Sequence, residues 1–558
     1  MAARLLPIGL GILGILCCRP SSSPDAVAFP DIDGDAVIGH VRVLASDAFE
    51  GRAPGTKGED LTVRYIVDRF REIGLSAGNT DGTFFQSVPL VGITSVPETG
   101  LRFEKGSGKL DLRPKDDFVA YSRRAVPVTR LDGSEVVFVG YGVQAPEFGW
   151  DDYKGLDVTG KTIIVLVGDP PVPDSADPGR LDPGVFAGKA MTYYGRWTYK
   201  YEIGTRLGAA GVFIVHETAP AGYDFSMLHS WVLEHFDIAA PDGNAAGLEA
   251  AGWLTLDSAK RLFGLAGMDL EALKEAAAGR DFEPVPLGAK ASITLRNALR
   301  TIRSRNVVAR LEGGDPDFKD EHVIYTAHWD HFGTDPRLVG DTIYNGAQDN
   351  ATGVGGLIEL ARAFKSSRVP PKRSILFLAV TGEEQGLLGS EYYARNPIYP
   401  LAKAAVVINL DVLNVLGRTR DLTINGLGMT DVDAYAIEAA ARQGRVLNPN
   451  PWPERGGFYR SDHFPLAKRG VPALDCYRGI DYAGKPADFG MEERARYAEF
   501  NHKPSDEIRS DWVTDGMVED LQFFWMVGFK IAQAGRQPEW KPGGEFKAAR
   551  EVRLESQR

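Results

Sequence analysis

The chain has 558 residues, of which 44% are hydrophobic and 25% charged, and its formal net charge is −12. This length exceeds one ordinary hydrophobic core, so we expect two or three folded domains. The composition is typical of globular proteins and excludes a largely disordered chain. The acidic balance, without a lysine- or arginine-dense run, argues against a nucleic-acid partner.

The N-terminal segment 1–24 has the pattern of a signal peptide. One arginine precedes an apolar run from Leu5 to Leu16, and small and polar residues follow. The run is too short to span a membrane as a helix. We therefore expect an exported protein that is periplasmic, secreted, or held at the outer membrane as a lipoprotein through Cys17 or Cys18. A non-cleaved membrane anchor is the alternative.

Hydrophobic periodicity predicts an α/β protein. An amphipathic helix is predicted over 60–73, residues 84–130 alternate like strands, and residues 131–290 look like an insertion with a small β-rich core. From 291 onward strands are predicted at 292–295, 305–311, 322–328, 373–380, 404–411 and 421–425. Helices are predicted at 352–366, 386–394, 431–443 and 515–534. This alternation predicts a doubly wound, mostly parallel mixed sheet flanked by helices. The segment 445–515 is predicted to be a long loop of functional importance.

Acidic and imidazole side chains follow the apolar runs that predict strands. His328 ends the run HVIYTAH, and Asp330 comes two residues later. Asp349 lies in the glycine-containing stretch NGAQDNATGVGG, and Glu383 and Glu384 follow the run ILFLAV. An open α/β sheet places its chemistry at such strand ends. Histidine, aspartate and glutamate are also side chains that bind zinc.

Two further candidates lie downstream. Asp411 ends the apolar stretch AAVVINLD, and His463 lies in YRSDHFPLAKRG. No HExxH motif occurs, so a helix-borne single-zinc protease is not indicated. The adjacent carboxylates of Glu383 and Glu384 repel each other unless cations neutralise them. One of them could bind a metal while the other accepts a proton from water, so the pattern predicts a two-metal hydrolase site.

Taken together, these motifs resemble the co-catalytic zinc peptidase family that includes bacterial leucyl aminopeptidases and glutamate carboxypeptidase II. The matching motifs are AHWDHFG, NGAQDNATGVGGLIELAR, GEEQGLLGSEYYA, INLD and RSDHFPLAKRGVPA, and LASDAFEGRAPGTKGED resembles the family's N-terminal segment. The insertion resembles a protease-associated domain. The implied division is 1–24 signal peptide and linker, 25–130 N-terminal part of the peptidase domain, 131–290 inserted domain, 291–540 catalytic domain and 541–558 polar tail.

The resemblance implies two Zn²⁺ ions per chain. One ion would be held by His328 and Asp411, and the other by Glu384 and His463. Asp349 would bridge the two ions, and the peptide bond that follows it is expected to be cis.

The resemblance also implies the catalytic roles. Glu383 would be the general base for a metal-bridging hydroxide that attacks the scissile carbonyl, and Asp330 would orient His328. The implied activity is that of an exopeptidase, and we expect an aminopeptidase that removes N-terminal residues from peptides.

The sequence does not decide which end of a peptide substrate is recognised. Arg460 and Arg478 lie near the His463 loop, and they keep a carboxypeptidase or dipeptidase of the glutamate carboxypeptidase type as an alternative. Tyr459 and His502 are further candidate substrate contacts. A glutaminyl cyclase, which would need one metal, and a non-catalytic receptor-like protein, which would have lost ligands, are the remaining alternatives.

Overall fold

The computed structural model of the protein describes residues 27–231 and 234–555. The predicted signal peptide, with the candidate lipidation sites Cys17 and Cys18, lies outside the described residues. Over the two described ranges, none of the helices has both the length and the apolar character needed to cross a membrane.

Helices occur along the whole described chain. They are α1 Gly34–Leu44, α2 Lys57–Ile73, α3 Trp197–Arg206, α4 Thr218–Ala221, α5 Leu228–Trp231, α6 Leu256–Ala266, α7 Leu270–Ala277, α8 Thr352–Lys365, α9 Leu388–Arg395, α10 Val432–Arg442, α11 His463–Ala467, α12 Phe489–Phe500, α13 Asp515–Gln533 and α14 Lys547–Glu555.

Most strands belong to one continuous hydrogen-bonded network. The strands are β1 Ser76–Ala77, β2 Phe85–Pro97, β3 Leu101–Lys105, β4 Gly108–Leu112, β5 Phe118–Tyr121, β6 Val128–Phe138, β7 Gln144–Ala145, β8 Trp150–Asp151, β9 Thr162–Leu166, β10 Gly211–His216, β11 His235–Ile238, β12 Ala250–Thr255, β13 Val285–Leu311, β14 His322–His328, β15 Gly333–Thr334, β16 Ile343–Tyr344, β17 Ser374–Val380, β18 Ala404–Asn409, β19 Asp421–Asn425, β20 Val446–Pro449 and β21 Ala473–Arg478.

Four parallel strands form the centre of the larger unit, in the order β17–β14–β18–β21. Strand β13 runs antiparallel to β17 at one side, and β19 runs antiparallel to β21 at the other. Every residue of β14, β17 and β18 is buried, because helices cover both faces of the sheet. The predicted fold class, a mostly parallel mixed sheet flanked by helices, is confirmed.

A smaller unit packs against this sheet. Its strands β6, β9, β10 and β12 are parallel neighbours, and β5 is antiparallel to β12. Leu101, Phe103 and Phe118 belong to its hydrophobic cluster, so the small unit begins before the boundary predicted at 131. Its resemblance to a protease-associated domain stays a prediction.

Strand β13 belongs to both units. Its N-terminal half pairs with β6 and β3 of the small unit, and its C-terminal half pairs with β2 and β17. A second hydrophobic cluster contains Tyr193 and Trp253 of the small unit together with Ile324, Leu376 and Phe464 of the larger one. The two units therefore share both a strand and a core.

The segment 445–515 differs from the long loop that was predicted. It contains β20, α11, β21 and α12. Helix α12 buries only Gly490, so its sequence carries no apolar stripe from which a helix could be predicted.

Candidate metal centre

The site lies at the carboxyl edge of the parallel strands. His328 is the last residue of β14, and its Nε2 lies 3.2 Å from Asp349 Oδ1 and 3.5 Å from Asp411 Oδ1. Asp411 follows β18, the parallel neighbour of β14. Strand register therefore brings together the three side chains that were predicted to share the first ion.

The second group forms around Glu384 and His502. His502 Nε2 lies 3.2 Å from Asp349 Oδ2 and 3.2 Å from Glu384 Oε2. Asp349 thus directs one carboxylate oxygen to His328 and the other to His502. This is the arrangement expected of a carboxylate that bridges two cations.

His463 lies outside this group, which corrects the prediction that it binds the second ion. Its Nε2 donates a hydrogen bond to the Phe458 carbonyl over 2.7 Å, and its Nδ1 lies 3.6 Å from Asp475 Oδ1. The ring is fully buried at the start of α11. His502, which was predicted only as a substrate contact, takes the place that had been assigned to His463. The signal for it was the stretch NHKPSDEI, in which a histidine precedes an acidic residue that also serves the site.

That acidic residue, Asp506, holds the turn that carries Asp349. Its carboxylate accepts hydrogen bonds from the backbone N–H groups of Gln348 at 3.1 Å and Asp349 at 3.0 Å. Asn501 Nδ2 donates to Asp349 Oδ2 over 2.9 Å. The Asp349–Asn350 peptide bond is cis, as expected from the resemblance.

A third imidazole, not singled out in the sequence, contacts Glu384. His331 Nδ1 lies 2.6 Å from Glu384 Oε1, and its Nε2 is buried without a hydrogen-bond partner among the described residues. Because His331 touches Glu384 but His502 touches both Glu384 and Asp349, the geometry favours His502 as the ligand and His331 as the group that orients Glu384.

Asp330 does not orient His328 in the way that was predicted. His328 Nδ1 lies 3.1 Å from the Asp330 backbone carbonyl and 3.9 Å from its carboxylate Oδ1. The carboxylate instead accepts a hydrogen bond from the Glu383 N–H over 3.1 Å. The main chain of Asp330 therefore orients the imidazole, and its side chain fixes the loop that carries Glu383.

Arg52, from the N-terminal motif, joins the two loops that flank the site. Its guanidinium donates to the carbonyls of Trp329, Asn345 and Gly346 over 2.6–2.9 Å, and its side chain is 1% exposed. Burial lowers the pKa of Arg52, and the nearby Asp506 carboxylate opposes this effect. The motif LASDAFEGRAPGTKGED, which contains Arg52, was noted only for its resemblance to the family's N-terminal segment. The sequence did not indicate that Arg52 joins these loops.

The electrostatics of the cluster favour cations. Burial raises the pKa of Glu383 well above its usual value, and the neighbouring Glu384 and Asp411 carboxylates raise it further, whereas His328 lowers it. Burial alone would lower the pKa of His328, but the charge of Glu383 and the hydrogen bonds to Asp349 and Asp411 raise it well above its usual value. Without added positive charge, the cluster holds an excess of negative charge.

The donor set fits zinc. The overlapping groups His328–Asp349–Asp411, His331–Asp349–Glu384 and His328–Glu383–Glu384 each bring their ligand atoms within 4.8 Å of one another. Imidazole nitrogens and carboxylate oxygens are ligands that zinc accepts. Asp349 occurs in two of these groups, which suits a pair of ions with one shared ligand.

The three other residues predicted as substrate contacts, Tyr459, Arg460 and Arg478, lie in different surroundings in the structure. Tyr459 donates its hydroxyl hydrogen to Glu545 Oε2 over 2.8 Å, and the buried Arg478 stacks on the ring of Tyr497. Arg460 remains exposed. It is adjacent to Ser461, whose hydroxyl donates to Asp411 Oδ2 over 2.7 Å.

Comparisons with known proteins agree with this chemistry. Residues 306–526 match the model of Peptidase family M28. A probable zinc metalloprotease from Pyrenophora teres f. teres is 39% identical over 109 residues, which are 19% of this chain and 22% of the relative. Aminopeptidase YwaD from Bacillus subtilis is 27% identical over 197 residues, which are 34% of this chain and 37% of the relative.

Among solved structures, an aminopeptidase from Aneurinibacillus sp. strain AM-1 is similar at 17% identity and a TM-score of 0.44. The match covers 92% of this chain and 96% of that one. The chain spans well under half the length of the two curated relatives named above.

Proposed function

Because residues 306–526 match the model of Peptidase family M28, we propose that the chain is a zinc-dependent exopeptidase of that family, and specifically an aminopeptidase. The observation that carries the proposal is the position of Asp349 between two groups of ligands. Its two carboxylate oxygens lie 3.2 Å from imidazole nitrogens on opposite sides, those of His328 and His502.

In this proposal two Zn²⁺ ions share the site. His328 and Asp411 would hold one ion, Glu384 and His502 the other, and Asp349 both. Bound zinc would supply Lewis acidity, which polarises a scissile carbonyl and makes water more acidic.

The chain's own groups then move the proton. Glu383 lies within the ligand cluster, and the hydrogen bond from its N–H to the Asp330 carboxylate fixes its loop. Its carboxylate would accept a proton from the attacking water and pass it to the leaving amine. His331 would keep Glu384 in place, and Arg52 and Asp506 would hold the ligand loops rigid.

The alternatives are less well supported. A glutaminyl cyclase would need one cation, whereas the cluster provides ligands for two. A non-catalytic receptor would be expected to lack some of the ligands or the base, and every position of the cluster is occupied by a suitable side chain.

A direct test is the zinc content of the purified, zinc-loaded chain. We expect two zinc ions per wild-type chain by inductively coupled plasma mass spectrometry, and hydrolysis of leucyl-p-nitroanilide. His502→Gln should lose one ion and most activity, because His502 contacts both Asp349 and Glu384.

His463→Gln is the matched control, and it should keep both ions provided that circular dichroism shows a folded chain. Loss of zinc from the His463 variant with retention by the His502 variant would contradict the assignment. A zinc-loaded wild-type chain that hydrolyses no peptide or anilide would contradict the proposed activity.

We further propose that the protein is exported. It would be periplasmic, secreted, or held at the outer membrane as a lipoprotein. The signal-like residues 1–24 support this proposal. Recovery of the chain, uncleaved, from the cytoplasmic fraction alone would contradict it.

A further inference from the structure

A cavity separate from the metal centre lies between the small unit and the C-terminal segment of the chain. Its volume is about 620 Å³, and its walls include the rings of Trp150, Tyr194 and Tyr199 from the small unit and of Phe546, which lies just before α14. The rings of Tyr194 and Tyr199 meet edge to face at 5.0 Å. A concave site that is lined by aromatic side chains and lies between two folded units is a common place for a small ligand.

Most of the charged groups in this cavity are already satisfied. Glu202 pairs with Lys468, and both oxygens of Glu545 accept hydrogen bonds from the chain. Arg206, at the end of α3, and Asp151, on β8, also line the cavity, but neither forms an ion pair with any residue that the structure describes. The cavity therefore presents one free positive charge and one free negative charge.

The side-chain amide of Gln144 stands between these two charges. Arg206 Nη2 donates to Gln144 Oε1 over 3.4 Å, and Gln144 Nε2 donates to Asp151 Oδ1 over 3.3 Å. Both hydrogen bonds are long. The amide turns an oxygen toward the cation and an N–H toward the anion, which is also the polarity of the carboxylate and ammonium groups of an α-amino acid. An amino acid separates its oxygen and nitrogen by only one covalent bond more than an amide does, so it fits the same gap.

We propose that this cavity binds a free α-amino acid with an aromatic side chain. Its carboxylate binds Arg206, its ammonium group binds Asp151, and its ring packs against Tyr194 and Tyr199. Hydrogen bonds between charged groups are shorter and stronger than those of a neutral amide, so the amino acid displaces the amide of Gln144. Free amino acids are what the proposed exopeptidase releases, and this link to a product rests on the proposed function, whereas the binding itself does not.

Three ligands that carry the same ring test the two charged contacts. L-Phenylalanine has both charges, 2-phenylethylamine lacks the carboxylate, and 3-phenylpropanoate lacks the ammonium group, and a peptidase hydrolyses none of them. Isothermal titration calorimetry is performed on the zinc-loaded full-length chain, with excess acetohydroxamate present to occupy the metal ions. We expect L-phenylalanine to bind about tenfold or more tightly than either analogue, which is the size expected for a hydrogen bond between charged groups.

Substitutions at the two charges should act on different ligands. Arg206→Gln should weaken L-phenylalanine about tenfold and leave 2-phenylethylamine unchanged, because the amine has no carboxylate to lose a contact. Asp151→Asn should weaken L-phenylalanine and leave 3-phenylpropanoate unchanged. Arg206→Lys should retain part of the affinity because it keeps the charge. Arg130→Gln and Asp132→Asn are matched controls without effect, because both residues are exposed on β6 of the small unit and outside the cavity.

The pattern of losses decides the outcome. Equal affinities of the wild type for the three ligands, or no binding of L-phenylalanine, would overturn the proposal. Equal loss of all three ligands in Arg206→Gln would do the same, since a general change of structure weakens every ligand alike. The titration needs no turnover, so it is independent of the peptidase function. If no peptide is hydrolysed, that function fails, but a preference for L-phenylalanine that Arg206→Gln removes still supports the amino-acid site.

Discussion

At the scale of single residues, Glu383 is positioned through its main chain. Its N–H donates to the Asp330 carboxylate, and its side chain lies within 4.8 Å of ligand atoms of His328 and Glu384. This places a carboxylate beside the candidate ligands, within reach of a metal-bound water, which is what general-base catalysis requires.

We expect Glu383→Gln to lower kcat for leucyl-p-nitroanilide by about 10²- to 10⁴-fold, because the amide has the same shape but cannot accept the proton. Zinc content should remain at the wild-type value, because the ligands are untouched. Steady-state kinetics and elemental analysis on the same sample provide the measurement. A variant with normal kcat would exclude Glu383 as the base.

Much of the site could be predicted at this scale, and the exceptions have physical reasons. His328, Asp349 and Asp411 could be predicted from the sequence because each ends an apolar run or lies on a glycine-containing turn. His463 was misleading because it also precedes an apolar strand, yet its ring is buried against Phe458. The stretch NHKPSDEI offers a histidine close to an aspartate, but the helix before it lacks apolar periodicity, so the sequence does not place His502 at the strand ends where Asp349 lies.

At the scale of elements, the turn 347–351 before α8 carries Asp349, whose carboxylate is proposed to bridge two ions. Its backbone N–H groups are bound by Asp506 from a distant loop. Helix α8 approaches closely behind the turn: a Cβ on Gly353 would lie 2.5 Å from the Leu410 carbonyl, which requires glycine there. The turn is therefore shaped by tertiary contacts and not by its own sequence alone.

Asp506→Asn should destabilise the protein by about 1–3 kcal/mol and weaken zinc binding, because an amide NH₂ would face a backbone N–H that needs an acceptor. Urea denaturation and a zinc titration would measure the two effects. Asp511→Asn is the control, because Asp511 is a more exposed aspartate that pairs with Arg509 and Arg496. Equal effects of the two substitutions would show that the Asp506 hydrogen bonds are not important.

Strands and helices could be predicted where the burial of the side chains follows one pattern along the whole element. Strands β14, β17 and β18 are buried on both faces and read as continuous apolar runs. Strand β13 was predicted as two pieces, 292–295 and 305–311, because the polar stretch between them interrupts the pattern. It continues because pairing with β2 from Leu295 to Val307 satisfies its backbone even where side chains are exposed.

At the scale of the whole molecule, Glu545 connects three parts of the chain. Its carboxylate accepts hydrogen bonds from the Tyr193 N–H of the small unit at 2.9 Å and from the Tyr459 hydroxyl at 2.8 Å. Burial raises the pKa of Glu545 from 4.5 to about 8, although these hydrogen bonds partly oppose the shift. The folded chain therefore keeps a proton that the unfolded chain releases.

Stability should consequently fall as the pH rises from about 4.5 to about 8, because the unfolded state binds fewer protons in this range. Glu545→Gln removes this effect, so its melting temperature should exceed that of the wild type at pH 8, and the difference should shrink toward pH 5. Thermal melts across this range would measure it. Glu551→Gln, at an exposed position on α14, is the control, and a difference independent of pH would contradict the argument.

Strand β13 also bears on how the chain is made. Phe85 of β2 pairs with Val307 of β13, so β2 leaves the ribosome long before its longest partner exists. At about 5–20 residues per second, the wait is on the order of ten seconds or more. During that time apolar residues such as Val88, Leu90 and Ile93 stay uncovered by β13. Nascent chains of this protein should therefore depend on chaperones more than the low exposure of the finished core suggests.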